Sequence, residues 1–320
     1  MKKLKVASFF AGVGGIDLGF EQIGCFETVY ANEVDPYPVK TYEANFNIKV
    51  DCRDIHNVKA DEIPDFDILL GGFPCQAFSL AGHRQGFNDE KGRGTLFFEL
   101  VRIIKVKKPK IIFLENVKNL VSHDGGNTFR VILNELEQIG YHIKYQVLNA
   151  ASYGNIPHGR ERIYIVAFRS KKMYQKFEFP QPVKLTTKLN DCIDFKNKQP
   201  DRYYYTEDNC KFHGVLVQEM QHKDTIYQWR RVYVRENKSN VCPTLTANMG
   251  TGGHNVPLIL CDDGSIRKLT PREVFNLQGF PKDYILPADE SNTRLYKQAG
   301  NSVVVTVINR IAKQIADIIE

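Results

Sequence analysis

A cysteine that directly follows a proline at the mouth of a strand is the sharpest chemical signal in this sequence. In Gly71-Gly72-Phe73-Pro74-Cys75-Gln76-Ala77-Phe78-Ser79, the buried strand read over Phe66–Leu70 stops at two glycines and delivers Cys75 just beyond them. A structural cysteine usually sits within the apolar run; one placed after it is positioned and exposed enough to react. Nucleophilic use requires the thiolate, so the surroundings must be electropositive or offer a proton acceptor. Glu115, in Glu115-Asn116-Val117, ends another strand read over Lys110–Leu114 and brings a carboxyl group to the same rim. Arg160 and Arg162 precede the strand Ile163–Phe168 and offer cations there. Each group also has a plain reading, as a solvated strand-end acid or as surface arginines, and by themselves the residues leave both open.

A second group of residues suits a nucleoside. Phe10-Ala11-Gly12-Val13-Gly14-Gly15 follows a strand and precedes a helix, and glycines there let the backbone approach a ligand closely. The spacing is not G-x-G-x-x-G, which disfavours a dinucleotide. Glu33, closing the next strand, suits a ribose with two free hydroxyls, and Asp54-Ile55 suits an adenine edge. A tight turn with ordinary acids is the alternative. Leu80 to Arg93 is polar and punctuated by glycine, and reads as a loop able to close over a substrate.

The elements that must hold these groups alternate. Strands are read at Leu4–Phe10, Thr28–Asn32, Phe66–Leu70 and Lys110–Leu114, and helices at Ile16–Ile23, from Pro36 towards Phe46, at Leu96–Lys105 and at Phe129–Ile139. Tyr141–Leu148 and Ile163–Phe168 are β-rich and form an expected edge pair. Alternation of this kind implies an α/β fold, a doubly wound, mostly parallel sheet covered on both faces, with ligands beyond the carboxyl ends of its strands. Residues 190–265 break the pattern: they are polar, turn-rich and irregular, and read as a second, smaller domain. The expected division is 1–189, completed by 282–320, and 190–281. Gln298-Ala299-Gly300-Asn301-Ser302 is expected to open a closing helix, Ser302–Ile319, whose apolar stripe (Val303, Val307, Ile308, Ile311, Ile315, Ile318) packs back on the sheet.

Composition sets wide bounds. The 320 residues hold 43 Lys and Arg against 37 Asp and Glu, a net +6 that suits a nucleic-acid partner without requiring one. No apolar run reaches the roughly 18 residues of a membrane span. Met1-Lys2-Lys3-Leu4 mimics the head of a signal peptide, but the run after it carries glycines and Asp17 and reads as a core strand. No two of the seven cysteines form a C-x-x-C pair, which argues against zinc and disulfide frameworks and for a reducing compartment, the cytoplasm.

Taken in order, these segments resemble the cytosine-5 DNA methyltransferases, especially the bacterial restriction-modification type. The matching pieces are F-A-G-x-G-G, P-C-Q, E-N-V, the R-x-R pair, R-K-L-T-P-R-E with Gln278-Gly279-Phe280-Pro281, and the closing G-N-S-V. Each is weak to moderate alone; the ordered set is specific and spans nearly the whole chain outside 190–265. The resemblance implies a Rossmann-like S-adenosylmethionine-dependent methyltransferase fold and a monomer acting on double-stranded DNA in the cytoplasm. It also implies S-adenosylhomocysteine as product, no metal, and a cognate restriction endonuclease as partner.

The resemblance also implies roles. Cys75 adds to C6 of a flipped-out cytosine, Glu115 holds N3 and the 4-amino group, Arg162 binds O2, and Arg160 supports the same wall. Phe10, Gly12, Gly14, Glu33, Val34, Asp54, Ile55, Pro74 and Asn301 surround the cofactor. Gln76, Ser79, Arg230, Arg231, Thr244 and Thr246 meet DNA, and Arg235 is a further candidate. Three positions depart from the usual pattern: Val34 where many relatives carry Trp, His158 where Gln is common, and Phe73 where a second proline is frequent. The Cys-Phe-Thr signature of the related tRNA enzymes and the D/N-P-P-Y/F motif of amino-methyltransferases are both missing.

Overall fold

The computed structural model describes residues 3–74, 96–230, 232–251 and 256–319. The candidate residues Cys75, Gln76, Ser79 and Arg231 lie outside the described residues, as does the expected closing loop from Leu80 to Arg93. The chain divides into two compact units, one of Met1–Leu148, Glu161–Pro180 and Ile308–Glu320, the other of Asn149–Arg160 and Gln181–Val307.

The first unit is built on a six-stranded sheet. Its strands are β1 (Leu4–Phe9), β2 (Phe26–Asn32), β3 (Ile68–Gly71), β4 (Ile111–Val117), β5 (His142–Asn149) and, after β6 (His158–Gly159) of the second unit, β7 (Glu161–Phe168). The order is β2-β1-β3-β4-β7-β5. β1 pairs in parallel with β2 and β3, β3 pairs in parallel with β4, and β7 runs antiparallel to β4. Ile68, Leu69, Leu70 and residues 111–114 are 0–1% exposed, as strands covered on both faces must be. After β1 the chain steps to β2 on one side, then returns to β3 on the other. That reversal creates a switch point at the carboxyl ends of β1 and β3, where the connections leave a crevice. The expected edge pair differs in one respect: β5 lies at the edge, but β7 is internal, between β4 and β5.

Asp17 ties the first layer of this unit together. It is fully buried at the start of the helix Gly15–Glu21, where it accepts hydrogen bonds from Ser8 Oγ on β1 at 2.9 Å and from the Tyr42 hydroxyl at 3.0 Å. Burial outweighs both bonds and raises the carboxyl pKa to about 6. The final helix spans Val305–Ile319, and a methyl group on Gly19 would lie 2.6 Å from Ile308. The helix Gly15–Glu21 therefore accepts its closing partner only because position 19 has no side chain.

The second unit contains a five-stranded sheet that the irregular composition of 190–265 did not reveal. Its strands are β8 (Tyr204–Tyr205), β9 (Tyr227–Arg230), β10 (Tyr233–Glu236), β12 (Leu258–Leu260) and β13 (Ile266–Lys268), in the order β10-β9-β12-β13-β8. The short β11 (Cys242–Pro243) pairs instead with β6. Strands this short carry too few alternations to register as a period-two pattern.

The R-K-L-T-P-R-E segment is structural in this unit. Arg267, 0% exposed, grips Glu273 with two bonds of 2.8 and 2.7 Å. Glu273 also accepts the Thr270 N–H at 2.7 Å in a capping box that starts the helix Pro271–Asn276. The expectation that Gln298–Ser302 opens the closing helix is corrected: these residues end the preceding helix, Asn292–Asn301. Ser302 is its C-cap, with ψ of −179°, and that extended turn separates it from Val305, where the last helix begins.

Because the folded carboxyl of Asp17 holds its proton up to about 6 and a solvated one only to 3.8, folding favours protonation. The stability it contributes is complete below pH 4 or so and is lost as pH rises through 6. Asp17→Asn keeps an acceptor for Tyr42 and a donor for Ser8. Thermal unfolding across this range should show the variant gaining on the parent by roughly 3 kcal/mol between pH 4 and 7, then running parallel to it. Parallel curves throughout would contradict this account.

Candidate active site

Four connections converge at the carboxyl edge of the six-stranded sheet. After β1 the chain turns sharply: Phe10 and Gly12 both have φ of +54°, and Gly14 has +75°. The two glycines serve different ends. A methyl group on Gly14 would lie 2.4 Å from the Phe46 ring, so this glycine is required by packing. A methyl on Gly12 would meet nothing within 4 Å, so the backbone there borders open space.

Glu33, just past β2, holds this turn. Its carboxylate accepts the Gly12 N–H and the Asp35 N–H, each at 2.9 Å. Burial raises its pKa above the ordinary glutamate value despite these bonds. Two acceptor oxygens with spare lone pairs beside a part-buried stretch of backbone fit the two hydroxyl donors of a ribose diol. Val34 next to it is 57% exposed, an apolar surface beside the carboxylate. Asp54 caps the short turn Ile55–Asn57: its carboxylate accepts the His56 N–H at 3.0 Å, which, with the His56 ring, keeps its pKa low. The Ile55 side chain is 2% exposed and belongs to the core, leaving its main chain as the part a nucleoside can meet.

Glu115 and Arg162 meet because of strand register. β4 runs on to Val117, beyond the end expected at Leu114, since β7 continues to pair with it. Arg162 stands opposite Val117 and Glu115 opposite Tyr164, so the two charged side chains share a face as diagonal neighbours. Arg162 Nε lies 3.1 Å from Glu115 Oε1, with the side chains 14% and 10% exposed. Gly72, after β3, completes the convergence: a methyl there would lie 3.9 Å from Glu115 Oε2 and 4.0 Å from the Phe10 carbonyl. Pro74 follows, exposed, and leads directly to Cys75.

Asn116 was not singled out by sequence reasoning. It is 3% exposed, donates from Nδ2 to the Phe73 carbonyl at 2.8 Å, and accepts the Val117 N–H at 2.8 Å. It thereby ties the approach to Cys75 to the strand that carries Glu115. Its place inside E-N-V was the available signal.

The remaining candidates lie in the second unit. Arg160, 3% exposed, donates to the carbonyls of Leu245 (2.9 Å), Gly300 (3.2 Å) and Ser302. Its guanidinium thus anchors two backbone segments. His158, fully buried, accepts the Leu245 N–H at Nε2 at 3.1 Å, so Nδ1 carries the proton and donates to Leu277 O, also at 3.1 Å. A neutral histidine pairs one donor with one acceptor, as the side-chain amide common at this position would. Thr244 Oγ1 donates to Gly159 O at 2.6 Å, and Thr246 Oγ1 to Asn248 Oδ1 at 2.5 Å; both residues are exposed. Gly300 is obligatory, since a methyl would fall 2.2 Å from the Thr246 carbonyl carbon. Asn301 is exposed at the end of its helix, and Arg230 and Arg235 are exposed on β9 and β10.

Known proteins resemble this chain along nearly its whole length. The family described as C-5 cytosine-specific DNA methylase matches residues 4–317. The Type II methyltransferase M.Bsp6I of Bacillus sp. (strain RFL6) is 64% identical over 98% of both chains. M.HhaI of Haemophilus parahaemolyticus is 39% identical over 98% of this chain and 94% of its own. In fold, the chain resembles a Spodoptera frugiperda DNMT2 mutant (TM-score 0.76, 19% identity, 98% and 100% covered). It also resembles a putative DNA modification methyltransferase encoded within a prophage of E. coli (TM-score 0.72, 21% identity, 99% of both covered).

The two arginines should separate experimentally. Arg160→Ala removes bonds to three carbonyls and should lower unfolding free energy by roughly 3 kcal/mol. Arg162→Ala removes one ion pair and one backbone bond, should lower the melting temperature less than Arg160→Ala, and should act chiefly on turnover. Equal melting temperatures for the two variants would contradict the division.

Proposed function

The chain belongs to the C-5 cytosine-specific DNA methylase family, and from that membership we propose how its residues share the work. The enzyme methylates C5 of cytosine in DNA. Cytosine C5 is a poor nucleophile, so the reaction needs prior attack elsewhere on the ring. The Cys75 thiolate adds to C6, and the C5–C6 π electrons become an enamine pair centred on C5. When bound, S-adenosylmethionine would supply the electrophilic sulfonium methyl, with S-adenosylhomocysteine as the product. C5 then takes that methyl and loses its proton to a base, and the electron pair of the broken C5–H bond re-forms the C5–C6 double bond as the thiolate leaves C6.

Stacked bases cannot undergo this sequence, so the cytosine leaves the helix first, at a cost of a few kcal/mol. Glu115 receives it by accepting from the 4-amino group and sharing a proton at N3, which keeps negative charge from building on the ring. Arg162 binds O2 and holds the Glu115 carboxyl in place. Asn116 steadies the Phe73–Pro74 approach. Gly12, Glu33, Val34 and Asp54 hold the nucleoside of the cofactor, with Asn301 as a further contact. The observation that carries this reading is the Glu115–Arg162 pair at 3.1 Å, set beside the Gly72–Pro74 connection that delivers Cys75.

Residues 190–281, which lie within the second unit, form the reader of DNA sequence, and 1–189 with 282–320, which take in the first unit and the remainder of the second, the catalytic part. Arg230, Arg231 and Arg235 contact phosphates or guanine edges. The enzyme acts as a monomer in the cytoplasm and protects sites cut by a cognate restriction endonuclease. No helix among the described residues is long and apolar enough to cross a membrane.

Bisulfite sequencing of plasmid DNA from cells expressing the protein should reveal one short methylated sequence. Cys75→Ser should reduce methylation by on the order of 1,000-fold or more while DNA binding persists. Near-normal methylation by that variant would reject the covalent route.

A further inference from the structure

We propose that the amino edge of the six-stranded sheet, opposite the edge that carries Glu115, is a second surface for the phosphates of duplex DNA. The chain enters β4 through Lys105-Val106-Lys107-Lys108-Pro109-Lys110 and leaves β7 through Arg169-Ser170-Lys171-Lys172. Because β7 is antiparallel to β4, with Ile111 opposite Phe168, both basic segments lie at one edge. Hydrogen bonds fasten them together: the Arg169 N–H donates to Lys110 O at 3.0 Å, and Arg169 Nη1 donates to Lys108 O at 3.2 Å. The short helix Lys171–Lys176 follows and adds Lys176. Two hollows open at this edge. One, of about 250 Å³, is lined by Leu4, Ile68 and Ile111 together with Lys110, Lys172 and Lys176. The other, of about 330 Å³, gathers Lys105, Lys108 and Arg169 beside Ile139 and Tyr141.

Acids do not balance this edge. Lys107 pairs with Asp65 at 3.2 Å and Lys110 with Asp67 at 2.8 Å. Among the described residues, Lys105, Lys108, Arg169, Lys171, Lys172 and Lys176 have no acidic partner, and all six are exposed. Those six cations match the net +6 of the whole chain, so elsewhere positive and negative charges offset one another. Lys172 and Lys176 stand one helical turn apart, where like charges repel and an acid would stabilise the helix. Clustered like charges work against the fold and favour an external polyanion. Duplex DNA, on which the family acts, carries a charge for about every 1.7 Å of its axis and releases counterions when lysines meet it. Lysines meeting phosphates read no base edges, so the surface is indifferent to sequence. A membrane is the other extended polyanion. Basic surfaces that enter one carry exposed Trp, Phe or Leu, and none of these is among the exposed large side chains of the described residues. Lys110 precedes β4, and Glu115 stands five residues further along it, about 16 Å away. A straight duplex that delivers a cytosine to Glu115 runs along the carboxyl edge and leaves the amino edge free for a second stretch.

The test counts short duplexes bound per protein at low salt, by sedimentation of a labelled duplex that lacks the methylated sequence. The parent should bind two. A variant with Gln at Lys105, Lys171, Lys172 and Lys176 should bind the second at least about tenfold more weakly. The slope of log affinity against log salt for that second duplex should fall by about 3 to 4, roughly 0.9 for each cation removed. A variant with Arg at the same four positions should keep both duplexes. Turnover on a short duplex that carries the methylated sequence should stay within about twofold of the parent for both variants, because the carboxyl edge is untouched. One duplex per parent protein would overturn the proposal, as would an unchanged second affinity in the Gln variant. Capture of the parent by phosphatidylglycerol vesicles that excess duplex does not reverse would reassign the edge to a membrane and overturn it too. Failure of the parent to methylate duplex DNA would instead reject the proposed function, and the count of bound duplexes reads independently of it.

Discussion

A carboxylate and a guanidinium share one face of a sheet because the strand that carries the guanidinium runs against the strand that carries the carboxylate. In the first unit β1, β2, β3 and β4 are parallel and deliver their carboxyl ends to one edge. An all-parallel sheet brings only strand ends and the loops after them to such an edge. β7 is antiparallel to β4, so it begins at that edge, and its second residue, Arg162, stands within 3.1 Å of Glu115. Without that reversal the only cations near the carboxylate would have to come from loops, with less definite geometry.

The R-x-R pair shows how alternation assigns work. Arg160 and Arg162 are two positions apart, yet Arg160 lies just outside the strand. It spends its donors on the carbonyls of Leu245, Gly300 and Ser302, while Arg162 remains beside Glu115. One guanidinium holds backbone together and the other pairs with the Glu115 carboxylate. The buried Arg267–Glu273 pair belongs to the first kind. Its charges are enclosed, so removing either partner leaves the other uncompensated in a poorly polarisable surrounding.

Charge burial at the opening turn follows similar logic. Glu33 and Asp17 both pay desolvation, and both have raised pKa values in consequence. Glu33 keeps two backbone N–H donors that fix the Gly12 turn, whereas Asp17 links β1, the first helix and Tyr42 beneath it. The turn is thus braced from two sides, while a methyl group on Gly12 would still meet nothing. Rigid support around one open stretch of backbone is the arrangement a nucleoside site needs.

Much of this was legible in the residues. The run of apolar segments closed by Gly12, Glu33, Gly71-Gly72 and Glu115 determined a doubly wound sheet and the edge at which its chemistry gathers, because burial on both faces writes itself as continuous apolar runs. Ordered motifs determined the family. Tertiary structure alone decided the rest. Strand direction and register, which put Arg162 rather than Arg160 beside Glu115, depend on pairing between residues about 50 positions apart and leave no local period. The short strands of the second unit were hidden because they hold too few alternations to show a period. The role of Asn116, whose partner is Phe73 in the connection after β3, and the extended turn at Ser302 that ends one helix where another was expected, are likewise decided by packing. Local propensity sets which elements form; only the folded chain sets which side chains they bring within reach of one another.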